Sequence, residues 1–160
     1  MSGQLVGINL GAAHTTPEAA LGTLHTDASG NQFMYLQADG AVTTALLYNY
    51  VVSTGQIADQ ADSTVQPADA ESVMLCVSPV TLADNEYVWA FVGPGQVTLT
   101  TDSTGVAAID ATIFVSATAG TVSSGSTATL LKGASSDAVI TGGATGTIRF
   151  ATRIWSEDLN

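Results

Sequence analysis

Short apolar runs between turn residues recur from Leu21 onward, which is the pattern of an antiparallel β domain. The best-defined run spans residues 86–92, between Asn85 and Gly93. Its alternation places three aromatic side chains on one face and three aliphatic side chains on the other: Tyr87, Trp89 and Phe91 against Val88, Ala90 and Val92. Because both faces are apolar, this segment is predicted to be a central strand covered on both sides, with Trp89 well buried.

Other runs of the same kind complete an all-β prediction. Strands are expected at residues 21–26, 31–38, 41–52, 72–77, 96–101, 112–117, 138–141 and 147–155. The last of these puts Ile148, Phe150 and Ile154 on one face. Residues 56–71, with several acids and Pro67, are interpreted as an exposed loop. Turn signals about 8–12 residues apart favour an antiparallel β-barrel or β-sandwich.

The first 20 residues differ from the rest of the chain. They contain no aromatic residue and are interrupted by Gly3, Gly7 and Gly11. Residues 1–20 are therefore predicted to form an extended N-terminal arm, or an edge strand over residues 4–10. With 160 residues in all, residues 21–160 fit one β-rich domain.

Charge excludes two classes of partner. Three cations against 14 acids give a net charge of −11, so neither nucleic acid nor an anionic membrane is an expected partner. Charged residues make up only 11% of the chain, well below the roughly 25% of ordinary soluble domains. A chain this poor in charge is expected to cover part of its surface with partners, as a component of an assembly.

Enzymatic chemistry finds little support in the sequence. His14 and His25 are the only histidines, and both are interpreted as polar surface residues. Cys76 lies in an apolar strand and is expected to be a small buried hydrophobe. Residues 27–31 and 142–146 fit turns better than a calcium loop or a phosphate loop. The prediction is a non-enzymatic protein without catalytic residues, cofactor or metal.

The few candidate interface residues lie at the two ends of the chain. Arg149, Arg153 and Trp155 are predicted to share one strand face, as either a solvated face or an interface stripe. The apolar and polar residues of the arm are the second group: Gln4, Leu5, Val6, Ile8 and Leu10. These two groups are the candidate contacts with an assembly partner or with a neighbouring subunit.

Two segments give the chain a family resemblance. Residues 33–41, Phe-Met-Tyr-Leu-Gln-Ala-Asp-Gly-Ala, and residues 83–93, Ala-Asp-Asn-Glu-Tyr-Val-Trp-Ala-Phe-Val-Gly, resemble the head decoration or cement proteins of tailed bacteriophages. The small-residue turn at 117–120 is similar to that family as well. The resemblance extends over roughly residues 21–155, and residues 1–20 match nothing in it.

The resemblance implies a function in the virion. Such a protein binds the outer surface of an assembled icosahedral capsid and stabilises it. Its partners would be the major capsid protein and further copies of itself, as a homodimer or homotrimer at a symmetry axis. The alternative is a phage tail or adhesion component that binds a host carbohydrate, with Tyr48 and Tyr50 as an exposed aromatic platform.

Overall fold

The computed structural model describes residues 8–61, 73–125, 129–154 and 156–158. In these ranges every regular element is a β-strand, as the sequence predicts. The strands are β1 (Leu24–Thr26), β2 (Gln32–Ala38), β3 (Leu47–Val51), β4 (Gln56–Gln60), β5 (Val73–Val77), β6 (Tyr87–Phe91), β7 (Gly95–Thr100), β8 (Phe114–Val115), β9 (Val122–Ser123), β10 (Thr129–Leu131), β11 (Ala134–Ser136), β12 (Thr145–Phe150) and β13 (Ser156–Asp158).

Five of these strands close into a barrel, which decides between the two predicted architectures. The order is β2-β4-β3-β5-β6, and β6 returns to pair with β2. All neighbours are antiparallel except β2 and β4, which pair in parallel from Gln37 opposite Gln56 to Ala38 opposite Ile57. β2 and β6 pair over five residues, from Phe33 opposite Phe91 to Gln37 opposite Tyr87.

One apolar cluster fills the barrel. It consists of Met34, Leu36, Ala38, Val42, Tyr48, Tyr50, Ile57, Cys76, Leu82, Val88, Ala90 and Val92. On each strand these residues alternate with residues outside the cluster, because successive side chains point to opposite faces of a sheet. The barrel is therefore a packed core.

A second cluster lies between the outside of the barrel and two smaller sheets. These sheets have the strand orders β13-β10-β8-β9 and β11-β12-β7. Leu47, Leu75 and Phe91 belong to this cluster from the barrel side, and Leu99 and Ile148 from the other. Backbone hydrogen bonds link the same parts, since Leu47 N donates to Gly120 O at 2.8 Å and Ile154 N to Val92 O at 2.9 Å.

The position of β6 confirms the prediction for residues 86–92. It pairs with both β2 and β5, so it is a central strand. Val88, Ala90 and Val92 point into the barrel, whereas Phe91 joins the outer cluster. Trp89 is only 4% exposed, on the outer face of the barrel beside Tyr35.

A short bridge followed by a tight turn recurs in the fold. Two isolated bridges, Val42 opposite Leu82 and Val106 opposite Ile140, hold pairs of loops together. Three or four residues after the bridge comes a residue with positive φ: Ala45 after Val42, Asn85 after Leu82, Asp110 after Val106 and Gly143 after Ile140. In three of the four cases the chain then enters a strand within two residues, namely β3, β6 and β12.

Several predicted strand boundaries were wrong. Residues 56–60 form β4 of the barrel and not an exposed loop, and residues 62–72 lie outside the described part. β12 ends at Phe150, where the chain bends, so residues 147–155 are not one long strand. Nevertheless, Ile148, Phe150 and Ile154 are all buried in one cluster, as their spacing predicts. Of residues 138–141 only Ile140 takes part in a bridge.

The described part of the N-terminal region lies against the barrel. His14 forms a two-way backbone bridge with Tyr87, at 2.9 and 2.8 Å. Residues 8–10 are not in a strand, and the rest of the predicted edge strand, residues 4–7, lies outside the described residues.

Candidate functional site

The residues predicted for an interface do not form one group. Arg149 is exposed on β12, whereas Arg153 is half-buried in the bend that follows the strand. The prediction that they share one strand face is therefore wrong, because the strand ends between them. Ile8 and Leu10 are half-buried. Gln4, Leu5, Val6 and Trp155 lie outside the described residues.

Arg149 is paired within its own chain. Its Nη2 donates to Asp137 Oδ2 at 3.0 Å, and Gln96 Nε2 donates to the same oxygen at 3.0 Å. Both partners of the ion pair are about half exposed, so it contributes about 0–1 kcal/mol. A partner carboxylate that binds Arg149 would have to displace Asp137.

The two tyrosines offered as a carbohydrate platform are buried. Tyr48 is 2% and Tyr50 0% exposed, and both belong to the cluster inside the barrel. Tyr48 Oη accepts a hydrogen bond from Thr43 N at 2.8 Å. Burial raises the pKa of Tyr50 to about 12, and the charge of Arg153 acts weakly in the opposite direction. The expectation of an exposed Tyr48–Tyr50 platform is wrong, because their shared face is the inner one.

The aromatic residues of the barrel's outer face gather around Tyr35. The rings of Tyr35 and Tyr87 are stacked, with centroids 6.0 Å apart, and the Trp89 ring lies 5.0 Å from Tyr35. The His25 ring meets Trp89 edge-on at 5.9 Å. This arrangement follows from the register of β2 and β6, which places Tyr35 directly opposite Trp89.

A strap of residues 14–18 covers this aromatic group. The strap is held by the His14–Tyr87 backbone bridge and by Glu18 N, which donates to Tyr35 Oη at 2.9 Å. His14 Nδ1 lies 2.9 Å from Glu18 Oε1, and the His14 side chain is only 9% exposed. The prediction of a polar surface histidine is therefore wrong for His14.

The two imidazole nitrogens of His14 differ in their surroundings. His14 Nε2 is buried and has no hydrogen-bond partner among the described residues. A general base must reach its substrate proton within hydrogen-bond distance, and this nitrogen is buried. The arrangement therefore holds the strap in place. Sequence reasoning missed it because the contact joins segments far apart in the chain.

The other sequence candidates are structural turns or core residues. Asp27 caps the β1–β2 turn, with its carboxylate accepting from Ser29 N and Asn31 N at 2.8 and 2.9 Å. Ala144 N donates to Thr141 O at 3.0 Å, so residues 141–144 form a tight turn, and residues 145 and 146 begin β12. Cys76 is fully buried, and burial raises the pKa of its thiol. Among the described residues, no three His, Cys, Asp or Glu side chains are grouped so as to hold a metal ion.

One open groove lies beside the Arg149–Asp137 ion pair. It has a volume of about 540 Å³ and is lined by Gln96 and by residues 137–141 and 144–147. Its lining is mainly small and aliphatic, with Asp137 as the one ionisable group. Over the described ranges there is also no helix long and apolar enough to cross a membrane.

Comparison of the chain with protein-family models, curated proteins and solved structures gave no significant match. The functional assignment therefore depends on the residues and their arrangement.

Proposed function

We propose that the chain is a non-enzymatic decoration protein, which binds the outer surface of an icosahedral phage capsid and stabilises the assembled shell. One observation supports this most directly. The two segments that resemble decoration proteins, residues 33–41 and 83–93, contain β2 and β6, which pair over five residues and close the barrel. The two segments that resemble the family are therefore paired strands of one structural unit.

The charge and the composition agree with this function. A ligand that binds only the assembled shell stabilises it by mass action, and many identical sites add avidity. A net charge of −11 keeps the protein away from the packaged nucleic acid and favours solubility of the particle. The partners in this proposal are the major capsid protein and further copies of the chain, without a cofactor.

Location and copy number in purified particles test the proposal. Density for the chain on the outside of the head, with copy number comparable to the major capsid protein, would support it. A few copies confined to the tail would instead support the adhesion alternative, and absence from the particle would refute both. The adhesion alternative has no candidate carbohydrate-binding residues left, because Tyr48 and Tyr50 are buried.

Salt dependence of the attachment is a second test. The chain has only three cations, and Arg149 is already paired with Asp137, so few cations are available to pair with carboxylates of a partner. Attachment should therefore depend on burial of apolar and small residues and respond only modestly to salt. Release of the protein from intact particles is measured over a salt series and, in parallel, over a series of mild denaturant. Complete release by salt alone would contradict this mode of attachment.

A further inference from the structure

Four exposed aliphatic side chains lie on β1, on the segment before it and at the end of β3. Leu21, Leu24, Val51 and Val52 are 37–54% exposed and account for four of the six exposed large hydrophobics in the described ranges. A methyl group added to Gly55 would lie 2.8 Å from Leu21 Cβ, and Gly55 N donates to Val51 O at 2.8 Å. These four residues are called the apolar patch.

The strand that borders the patch has a free edge. Within the described ranges β1 pairs with β2 alone. Tyr35 N donates to Thr23 O at 2.9 Å, and Asp27 N to Asn31 O at 3.0 Å, so the odd-numbered residues direct their backbone groups toward β2. Leu24 and Thr26 consequently direct their N–H and C=O groups away from β2, toward solvent.

The free edge of β1 lies near the end of β3 that carries Val51. β1 pairs with the first half of β2, and β4 pairs with its end, at Gln37 and Ala38. Because β6 occupies the other edge of β2, β1 and β4 lie end to end along one edge. β3 lies beyond β4, and Val51 stands at the end of β3 nearest to β1, opposite Gln56.

The described segments that carry β1 and the β3–β4 turn contain no charged side chain. Residues 19–26 and 41–58 contain no Asp, Glu, Lys or Arg, although the chain as a whole has a net charge of −11. Exposed strand edges are usually protected by a charge, a proline, a bulge or a very short strand, and β1, with three residues, has only the last of these. Two copies of an acidic chain repel each other least where both surfaces are uncharged.

We propose that β1 and the apolar patch bind a second copy of this chain, edge to edge and antiparallel, across a twofold axis. With Leu24 opposite Thr26 of the second copy, the two N–H and two C=O groups on each β1 all gain partners. The apolar patches are then brought together around the axis, so the interface is self-complementary. The proposal does not depend on the proposed function, since it concerns the isolated chain in solution.

Sedimentation of the full chain, from micromolar to millimolar concentration, tests the proposal. The wild type should convert from the 16.2 kDa monomer to a dimer. Leu24→Lys and Val52→Lys should each weaken the dimer roughly tenfold or more. Ile109→Lys and Val139→Lys are matched controls, because their side chains are 62% and 63% exposed and they change the net charge equally. Circular dichroism and Tm verify that each variant is folded.

Three results would overturn the assignment: a wild type that stays monomeric, a dimer that Leu24→Lys leaves unchanged, or control variants that weaken it as much. Hydrogen exchange gives an independent readout that needs no variant. The amides of Leu24 and Thr26 should exchange more slowly at concentrations where the dimer forms, whereas unchanged rates at those two amides would contradict the edge pairing.

Discussion

Two glycines with the same backbone conformation should respond very differently to substitution by alanine. Gly105 has φ +72° and Gly143 has φ +75°, so alanine meets the same left-handed penalty, about 1–2 kcal/mol, at both. Reduced entropy of the unfolded chain offsets about 0.4–1 kcal/mol of that penalty. A Cβ at Gly143 meets no atom within 4 Å, so Gly143→Ala should cost only about 1 kcal/mol.

Gly105→Ala should cost considerably more. Its Cβ would overlap the carbonyl oxygen of Ile140 and lie 2.7 Å from Gly142 N. The same Ile140 oxygen accepts the 2.8 Å hydrogen bond from Val106 N, so the added methyl forces the bridge between the two loops apart. Overpacking costs about 1–3 kcal/mol, and weakening a buried hydrogen bond costs about 0.5–1.5 kcal/mol. The expected total is about 3–5 kcal/mol.

Urea unfolding of both variants measures the difference, with circular dichroism and tryptophan fluorescence as probes. Equal m-values would show that the midpoints report stability. The free energies of unfolding should differ by about 2–4 kcal/mol, with Gly105→Ala the less stable variant. If the two variants agree within about 0.5 kcal/mol, the bridge at Val106 and Ile140 does not constrain Gly105 as described.

Three further predictions concern side chains. Trp89→Ala should lower the free energy of unfolding by about 3–5 kcal/mol, since the ring is buried, whereas exposed Val139→Ala should change it by less than about 0.5 kcal/mol. Burial alone would raise the pKa of Asp102, but hydrogen bonds from Ser116 and neighbouring backbone amides lower it. The stability that this carboxylate contributes is present above its ordinary pKa of 3.8 and is lost as the pH falls toward the lower pKa of the folded state. Urea titrations at several pH values should show this loss in the wild type and a smaller loss in Asp102→Asn. Cys76 should stay unreactive toward a thiol reagent until the protein unfolds, and rapid labelling of the native chain would contradict its burial.

Strand identity was predictable wherever apolar residues alternate along the chain. The alternation of residues 86–92 was sufficient to place Trp89 and Val88 on opposite buried faces. Sequence analysis missed the strand β4 because Ile57 is its one fully buried residue, while Asp59 and Gln60 are typical of loops. Its parallel pairing with β2 is a contact between distant segments, which local pattern does not encode.

Which residues share a strand face was easier to predict than whether that face points into the core. Tyr48 and Tyr50 do share a face, as their spacing requires, but the alternation alone does not decide whether that face is inside or outside a barrel. His14 shows the same limit for a single residue. Its neighbours in the chain give no sign of burial, and the bridge to Tyr87 places its side chain against the barrel.

The tight turns show most clearly how distant contacts select local conformation. Ala45 has φ 59°, a conformation that costs a residue with a Cβ about 1–2 kcal/mol relative to the right-handed region. Its carbonyl oxygen accepts a 2.8 Å hydrogen bond from Thr100 N, which joins the turn before β3 to the end of β7. Gly143 reaches the same conformation without that cost, and its amide donates to Asp102 O. The hydrogen bond to β7 holds Ala45 in a conformation that a residue with a Cβ disfavours. The packing of the β11-β12-β7 sheet against the barrel therefore determines this turn.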